Sequence, residues 1–276
     1  MQSDKRPRSS PRRAPVPRCA VTWWGHASVE ICLDGVRLVT DPLLRRRIGP
    51  LHSVGYRPGG RQAGVGGVDA VLLSHLHRDH TDLPSIRRFG AHTRVIAPRG
   101  AGRLLRGPAR GPVEELPVGA STSVGSIRVQ ATDAVHDGRR HLGGVTADAV
   151  GYLLRGSRSV YFAGDTDVFD AMAELVRDLP HGLDVALLPV SGWGLTLGPG
   201  HMDAEAAARA LRLLRPRVAI PVHWGTLRIP VIWRARPGHN VEAPNRFAEL
   251  AARVAPGTTV VVPVPGEPLE LPHPAS

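Results

Sequence analysis

The sequence predicts an α/β (α+β) protein folded as a four-layer αββα sandwich, and two observations lead to this prediction. Short runs of branched apolar residues, typical of buried strands, alternate with helix-forming segments in the order strands, helices, strands, helices, twice over. Several of these strands end at loops that contain His or Asp, so polar groups should gather at the strand ends between two sheets. The 276 residues are enough for one large core, and we expect a single domain over residues 19–276.

The first half opens with a predicted β-meander. Strands over 20–24 and 29–33 form a hairpin, and Asp34-Gly35 is a strong turn signal before a third strand over 36–40. Beyond the meander we predict further strands over 68–74, 93–97, 113–116, 121–124 and 127–131, and helices over 83–89 and 101–105.

Residues 45–67 form a segment rich in Gly and Arg that shows no periodicity. A loop of this length is uncommon in a compact domain unless it serves a site or is disordered. We therefore predict that this segment is a flap over the active site.

The second half again alternates strands and helices, without a detectable sequence repeat. A hairpin over 150–155 and 159–163 comes first, and a helix over 204–214 has strong helix formers behind a cap at Met202-Asp203. The other predicted elements are a helix over 169–179, buried strands over 185–189 and 218–221, and edge strands over 258–263 and 268–271, where Pro limits aggregation.

The basic charge of the chain is almost entirely Arg. The net charge is +11, and Lys5 is the single lysine. A GC-rich genome that favours Arg codons accounts for much of this charge, and the remainder would favour anionic substrates. Residues 1–18 hold a large share of it, and we predict a disordered basic tail there. No apolar run is long enough for a transmembrane helix or for the core of a signal peptide, so we expect a cytoplasmic protein.

A dense cluster of metal-capable side chains follows the predicted strand over 68–74. Its members are His75, His77, Asp79 and His80. Residues two apart point to the same side of an extended backbone, so His75 and His77 can share one ligand point. Asp79 and His80 come where the chain turns and can aim at a second point. A solvated His-rich loop is the alternative, but this spacing at the end of a buried strand is hard to obtain by chance.

The motif over 74–80 resembles the signature of the metallo-β-lactamase fold hydrolases. His136, Asp165 and His223 each follow a predicted strand, and each alone would be a weak signal. Together they match the remaining ligands of that family in order. The resemblance implies the metallo-β-lactamase fold and two divalent metal ions, with zinc favoured and manganese or iron next. It assigns His75, His77 and His136 to the first ion and Asp79, His80 and His223 to the second, with Asp165 bridging both.

A closer resemblance to one branch of that superfamily covers nearly the whole chain after Arg18. The segments that carry it are 23–28, 38–42, 162–166, 200–207 and 220–226. They look like the branch that contains the N-acyl-phosphatidylethanolamine-hydrolysing phospholipase D and the L-ascorbate-6-phosphate lactonase. This resemblance implies that a metal-bridged hydroxide cleaves a phosphodiester or related ester. Hydrolysis of a lactone or another ring is the alternative within the same branch.

Five further residues are candidates for catalysis, ligand support or substrate binding. The resemblance places His201 where the phospholipase has a non-ligand His near the substrate phosphate, and it gives Asp79 a catalytic role in orienting the hydroxide. Asp41 either supports a ligand from behind or caps a turn. His26 either lines the rim of the site or hydrogen-bonds within its turn. Arg139 and Arg140 either hold a phosphate or belong to a solvated loop.

Two other classes of function compete with a hydrolase. One is a metal-binding sensor or biosynthetic partner without catalysis, but a site that has lost its activity would be expected to lose ligands, and this set is intact. The other is a nucleic-acid processing enzyme, which the net charge favours. No recognition module for nucleic acid is visible in the sequence. We therefore expect a small, anionic substrate and no stable nucleic-acid complex.

Overall fold

The structure, a computed structural model, describes residues 19–54, 65–141, 144–235, 238 and 241–271. The predicted tail over 1–18 and residues 55–64 of the predicted flap lie outside the described residues. The strands are β1 (Cys19–Gly25), β2 (Ser28–Leu33), β3 (Val36–Thr40), β4 (Arg47–Ile48), β5 (Leu51–Ser53), β6 (Ala70–Leu72), β7 (Arg94–Pro98), β8 (Val113–Leu116), β9 (Ser121–Val124), β10 (Ile127–Asp133), β11 (Val150–Arg155), β12 (Ser159–Phe162), β13 (Val185–Pro189), β14 (Val218–Val222), β15 (Leu227–Arg228), β16 (Thr259–Val260) and β17 (Pro268–Glu270). The helices are α1 (Leu83–Ile86), α2 (Gly102–Leu105), α3 (Ala204–Leu214), α4 (Pro230–Ala235) and α5 (Ala243–Val254), with a 3₁₀ helix over Asp170–Val176.

Most of the strands form two mixed sheets, and β17, the last strand, joins the sheet of the N-terminal strands. The first sheet has the order β17-β1-β2-β3-β6-β7-β8, and the second has the order β16-β14-β13-β12-β11-β10-β9. In the first sheet β3, β6, β7 and β8 run parallel to one another, and in the second so do β12, β13, β14 and β16. Parallel neighbours end at the same edge of a sheet, so the loops that follow them are gathered there.

Three hydrophobic clusters define the layers. Between the sheets, Trp23 from the first sheet packs in one cluster with Tyr152 and Phe162 from the second. The opposite face of the first sheet is covered by α1 and α2, and the opposite face of the second by the 3₁₀ helix, α3 and α5. Successive strand residues point to opposite faces of a sheet. An apolar run such as Ala70–Leu72 therefore contributes side chains both to the cluster between the sheets and to the cluster on the helix-covered face of the first sheet. The predicted four-layer αββα sandwich is confirmed.

Helix α3 covers the range predicted for it. Asp203 caps its first turn, because the Asp203 side chain accepts a hydrogen bond from the backbone N–H of Ala206. The helix ends at Arg215, whose φ of 46° is left-handed. The strands β16 and β17 lie at sheet edges, as predicted.

Three features differ from the sequence-based prediction. The helix predicted over 169–179 is a 3₁₀ helix over Asp170–Val176. The segment over 45–67 contains β4 and β5, which form a small third sheet with β15. Helix α5 was not predicted from the sequence. Phe247 and Ala251 nevertheless bury fully against α3 and the second sheet. Within the described residues, the helices are too short or too polar to cross a membrane.

We expect Phe247→Ala to lower the free energy of unfolding by about 3–5 kcal/mol, because truncating a buried aromatic ring leaves a cavity. The measurement is chemical denaturation of the variant beside Val254→Ala on the same helix. Val254 is 40% exposed, so its truncation should change the free energy by less than about 0.5 kcal/mol. Equal effects of the two substitutions would show that α5 does not pack as described.

Candidate metal centre

Loops from both sheets converge on one point at the carboxyl ends of their strands. Asp41 follows β3, the 74–80 loop follows β6, and His223 follows β14. Asp165 follows β12 through Gly164, whose φ is +63°. A Cβ at residue 164 would lie 2.7 Å from the Cβ of Ser74, so glycine is what allows the loops of the two sheets to meet here.

One group of ligand-capable atoms surrounds Asp165. The Oδ2 atom of Asp165 lies 3.1 Å from Nε2 of His80 and 3.3 Å from Nε2 of His223. The other ring nitrogen of each His is already engaged, because Nδ1 of His80 donates to Asp41 and Nδ1 of His223 donates to the Ser191 carbonyl. In the neutral rings both Nε2 atoms therefore carry bare lone pairs, and they face each other at 3.2 Å.

A second group of ligand-capable atoms is also closely spaced, and hydrogen bonds again engage the other nitrogen of two of its rings. The ligand-capable atoms of His75, His77 and His136 lie within 4.8 Å of one another, and Nε2 of His136 is 3.1 Å from Nδ1 of His77. Nδ1 of His136 donates to the Gly200 carbonyl. Ser74 donates its hydroxyl proton to Asp41 and so accepts from Nδ1 of His75. The Nε2 atoms of His75 and His136 are thus free to bind a cation.

The donor set fits divalent cations. Among the described residues, Nε2 of His75 and Oδ1 of Asp165 are buried without a hydrogen-bond partner, and a buried acceptor without a partner is costly. A cation between the facing lone pairs would satisfy these atoms. Imidazole and carboxylate ligands together are typical of zinc, manganese or iron sites.

Burial keeps several of these imidazoles neutral. It lowers the pKa of His26 and of His136 to about 4 each, and it lowers the pKa of His75 well below the ordinary value. Burial alone would also lower the pKa of His80, but the charges of Asp165 and Asp79 outweigh it and raise that pKa well above the ordinary value. The carboxylates therefore attract positive charge to this point.

Asp41 supports both groups from behind. Its side chain is fully buried and accepts hydrogen bonds from the Ser74 backbone and hydroxyl as well as from His80. Through Ser74 it also orients His75. These contacts favour support of a ligand from behind, which is one of the two predicted alternatives for Asp41.

Asp79 is held by two side chains that the sequence did not connect with it. His26 and Trp193 both donate to its Oδ2 atom, over 2.9 and 3.0 Å. His26 is buried and joins Asp79, His80 and His223 in one ligand-capable group, so it lies inside the centre rather than at its rim. The sequence signal for Trp193 was weak, since a Trp after a buried strand is more often part of the core.

The backbone is left-handed at three residues of the centre, His26, Asp41 and His223, with φ of 53°, 35° and 64°.

His201 is the remaining histidine candidate near the metal centre. His201 is at its edge, with Nε2 3.4 Å from Asp165 Oδ2 and Nδ1 3.1 Å from the Gly198 and Pro199 carbonyls. Burial alone would lower the pKa of His201, but the hydrogen bond to Asp165 outweighs it and raises that pKa.

The two arginines that follow His136 have protein partners in the structure, and phosphate binding by them stays a prediction. Arg139 forms an exposed ion pair with Asp137. Nη1 of Arg140 donates to the carbonyls of Leu76 and Thr81, because the loop carrying the cluster leaves these groups outside any strand ladder. Arg140 therefore braces the 74–80 loop.

A cavity of about 550 Å³ opens directly onto the centre. Its volume is within the range of sites for one small molecule. Five candidate residues form its polar end: His77, Asp79, Asp165, His201 and His223.

Comparison with known proteins shows the family to which this chain belongs. Residues 36–224 match the family model described as the beta-lactamase superfamily domain. An uncharacterized protein of Mycobacterium tuberculosis is 32% identical, over 95% of this chain and 72% of its own length. A UPF0173 metal-dependent hydrolase of Opitutus terrae is 33% identical, over 91% of this chain and 99% of its own length.

A solved structure agrees with these relatives. Igni18, a metallo hydrolase from the archaeon Ignicoccus hospitalis, is similar with a TM-score of 0.67 and 25% identity, over 91% of this chain and 97% of its own. The resemblance to the phospholipase and lactonase branch stays a prediction. The chain belongs to the β-lactamase superfamily, among its metal-dependent hydrolases with the metallo-β-lactamase fold.

Proposed function

We propose that this protein binds two divalent cations, zinc foremost, and hydrolyses a phosphodiester or related ester. A lactone or another strained ring is the alternative substrate. One observation carries the proposal: two groups of ligand-capable ring nitrogens lie beside Asp165, at the end of a cavity of about 550 Å³. His75, His77 and His136 would hold the first cation, and Asp79, His80 and His223 the second.

The chain's own groups position the reaction around these cations. When bound, the cations supply Lewis acidity and make water a nucleophile near neutral pH. Asp79 accepts a hydrogen bond from the attacking water, and the donors His26 and Trp193 keep its carboxylate fixed. His201 reaches the open end of the site and donates a proton or a hydrogen bond to the leaving oxygen.

Turnover of a paired substrate panel tests the proposal. The metal-loaded protein is assayed on bis-p-nitrophenyl phosphate beside a series of lactones, with the metal content measured in each preparation. Turnover that disappears with a chelator and returns with zinc supports the hydrolase. Failure to hydrolyse any ester, lactone or phosphodiester at full metal content would instead favour a metal-binding sensor.

Protein purified without chelator should contain close to two equivalents of metal, because the described ligands form two groups. His80→Ala and His223→Ala should each reduce the content to about one equivalent, since each removes a ligand of the second group. Elemental analysis is the measurement, and His181→Ala at the surface is the matched control. A content near zero after metal addition would contradict both sites.

Asp79→Asn should lower kcat by roughly 100-fold or more, because the amide cannot position the attacking water as the carboxylate does. Metal content should fall by much less than activity. Asp137→Asn removes the same charge from an exposed site on the 136–141 loop and should keep its activity. Activity within threefold of wild type at full metal content would refute this role of Asp79.

His201→Ala should keep two equivalents of metal and the native melting temperature, yet lose at least about tenfold in kcat/KM, because its expected role is toward the leaving group. Steady-state kinetics and elemental analysis are compared with His181→Ala. Loss of metal would show that His201 is a ligand, as its position near His136 and Asp165 allows. Unchanged kinetics would remove it from the reaction.

A further inference from the structure

The walls of the cavity are far more apolar than its metal-facing end. One wall is the β4–β5 turn, which contributes Ile48, Pro50 and Leu51. The other wall is the loop over 192–198, with the sequence Gly-Trp-Gly-Leu-Thr-Leu-Gly. Ile48 and Leu51 are themselves buried in a small cluster with Leu43 and Leu227. The first wall is thus anchored, and it presents a fixed apolar surface to the second.

The 192–198 loop displays its apolar side chains instead of burying them. Trp193 is 37% exposed, Leu195 55% and Leu197 36%. Clusters of exposed apolar side chains are typical of surfaces that bind a ligand or a partner. Gly192 lets Leu197 fold against the loop, because a Cβ at residue 192 would lie 2.9 Å from Cδ1 of Leu197. All three side chains line the cavity that contains Asp79 and Asp165.

Charge is scarce along these walls. Among the described residues that line the cavity, Arg78 is the one charged side chain outside the metal-facing end. The arginines that follow His136 are engaged elsewhere, Arg139 with Asp137 and Arg140 with backbone carbonyls. A substrate with several negative charges would find little compensation away from the cations, whereas an apolar group would gain from leaving water.

We infer that the site takes a small ester or lactone that carries at most one negative charge and one aliphatic or aromatic group, and that this group packs on Trp193, Leu195 and Leu197. The inference rests on the proposed function and narrows its substrate class. Trp193 has two contacts in this arrangement, since its ring lines the wall and its N–H binds Asp79. The apolar group is thereby held next to the carboxylate that positions the attacking water.

Binding of alkyl hydroxamates tests this inference without requiring turnover. Acetohydroxamate and hexanohydroxamate share one metal-binding head and differ by four methylenes. Each fully buried methylene is worth roughly fourfold in affinity. Because the cavity is open to solvent, we expect the longer ligand to bind the zinc-loaded protein at least tenfold more tightly by calorimetry. The ratio of the two Kd values cancels effects on the shared head.

The double variant Leu195→Ser/Leu197→Ser should reduce this ratio to threefold or less. Val264→Ser is the matched control, because Val264 is 54% exposed but does not line the cavity, and its ratio should equal that of wild type. A wild-type ratio below threefold, an unchanged ratio in the double variant, or no binding of hexanohydroxamate would overturn the inference. A tenfold ratio without turnover of any ester would support the apolar pocket and refute the proposed hydrolase function.

Discussion

The buried carboxylate of Asp41 is the constraint on which the rest of the site depends. It fixes the Ser74 backbone and hydroxyl and Nδ1 of His80 at once, and through Ser74 it sets the ring of His75. One side chain therefore determines the tautomer of a histidine in each ligand group. An acceptor behind a ligand imidazole also raises the basicity of its free nitrogen. The packing of β3 beside β6 places this carboxylate where the 74–80 loop begins.

The sequence was sufficient to predict the fold and the residues that converge, and the reason is the topology. Strands with strong apolar runs are locally recognisable, and parallel strands bring their carboxyl ends to one edge. Residues that directly follow such strands, like Asp165 and His223, must then meet even when they are far apart in sequence. The division of the ligands into two metal groups came from the family resemblance and not from the topology. The role of each ligand and the extent of the domain stay predictions.

What the sequence could not predict depends on contacts between distant loops. Trp193 binds Asp79 across 114 positions, and Arg140 reaches Thr81 across 59. Neither partner is marked by a local pattern, since an isolated Trp or Arg is equally common in cores and on surfaces. Helix α5 was missed for a related reason. Its buried face is narrow, and it becomes stable only against α3, so tertiary packing outweighs its weak local signal.

The left-handed backbone at His26, Asp41 and His223 affects which amino-acid substitutions selection for stability would favour in this protein. Each such residue is disfavoured by about 1 kcal/mol relative to a relaxed conformation, and Gly or Asn would adopt the same angles more easily. Random substitution selected only for thermal tolerance would therefore drift toward those residues and lose the side chains of the centre. The same three positions would make the protein harder to stabilise without loss of activity.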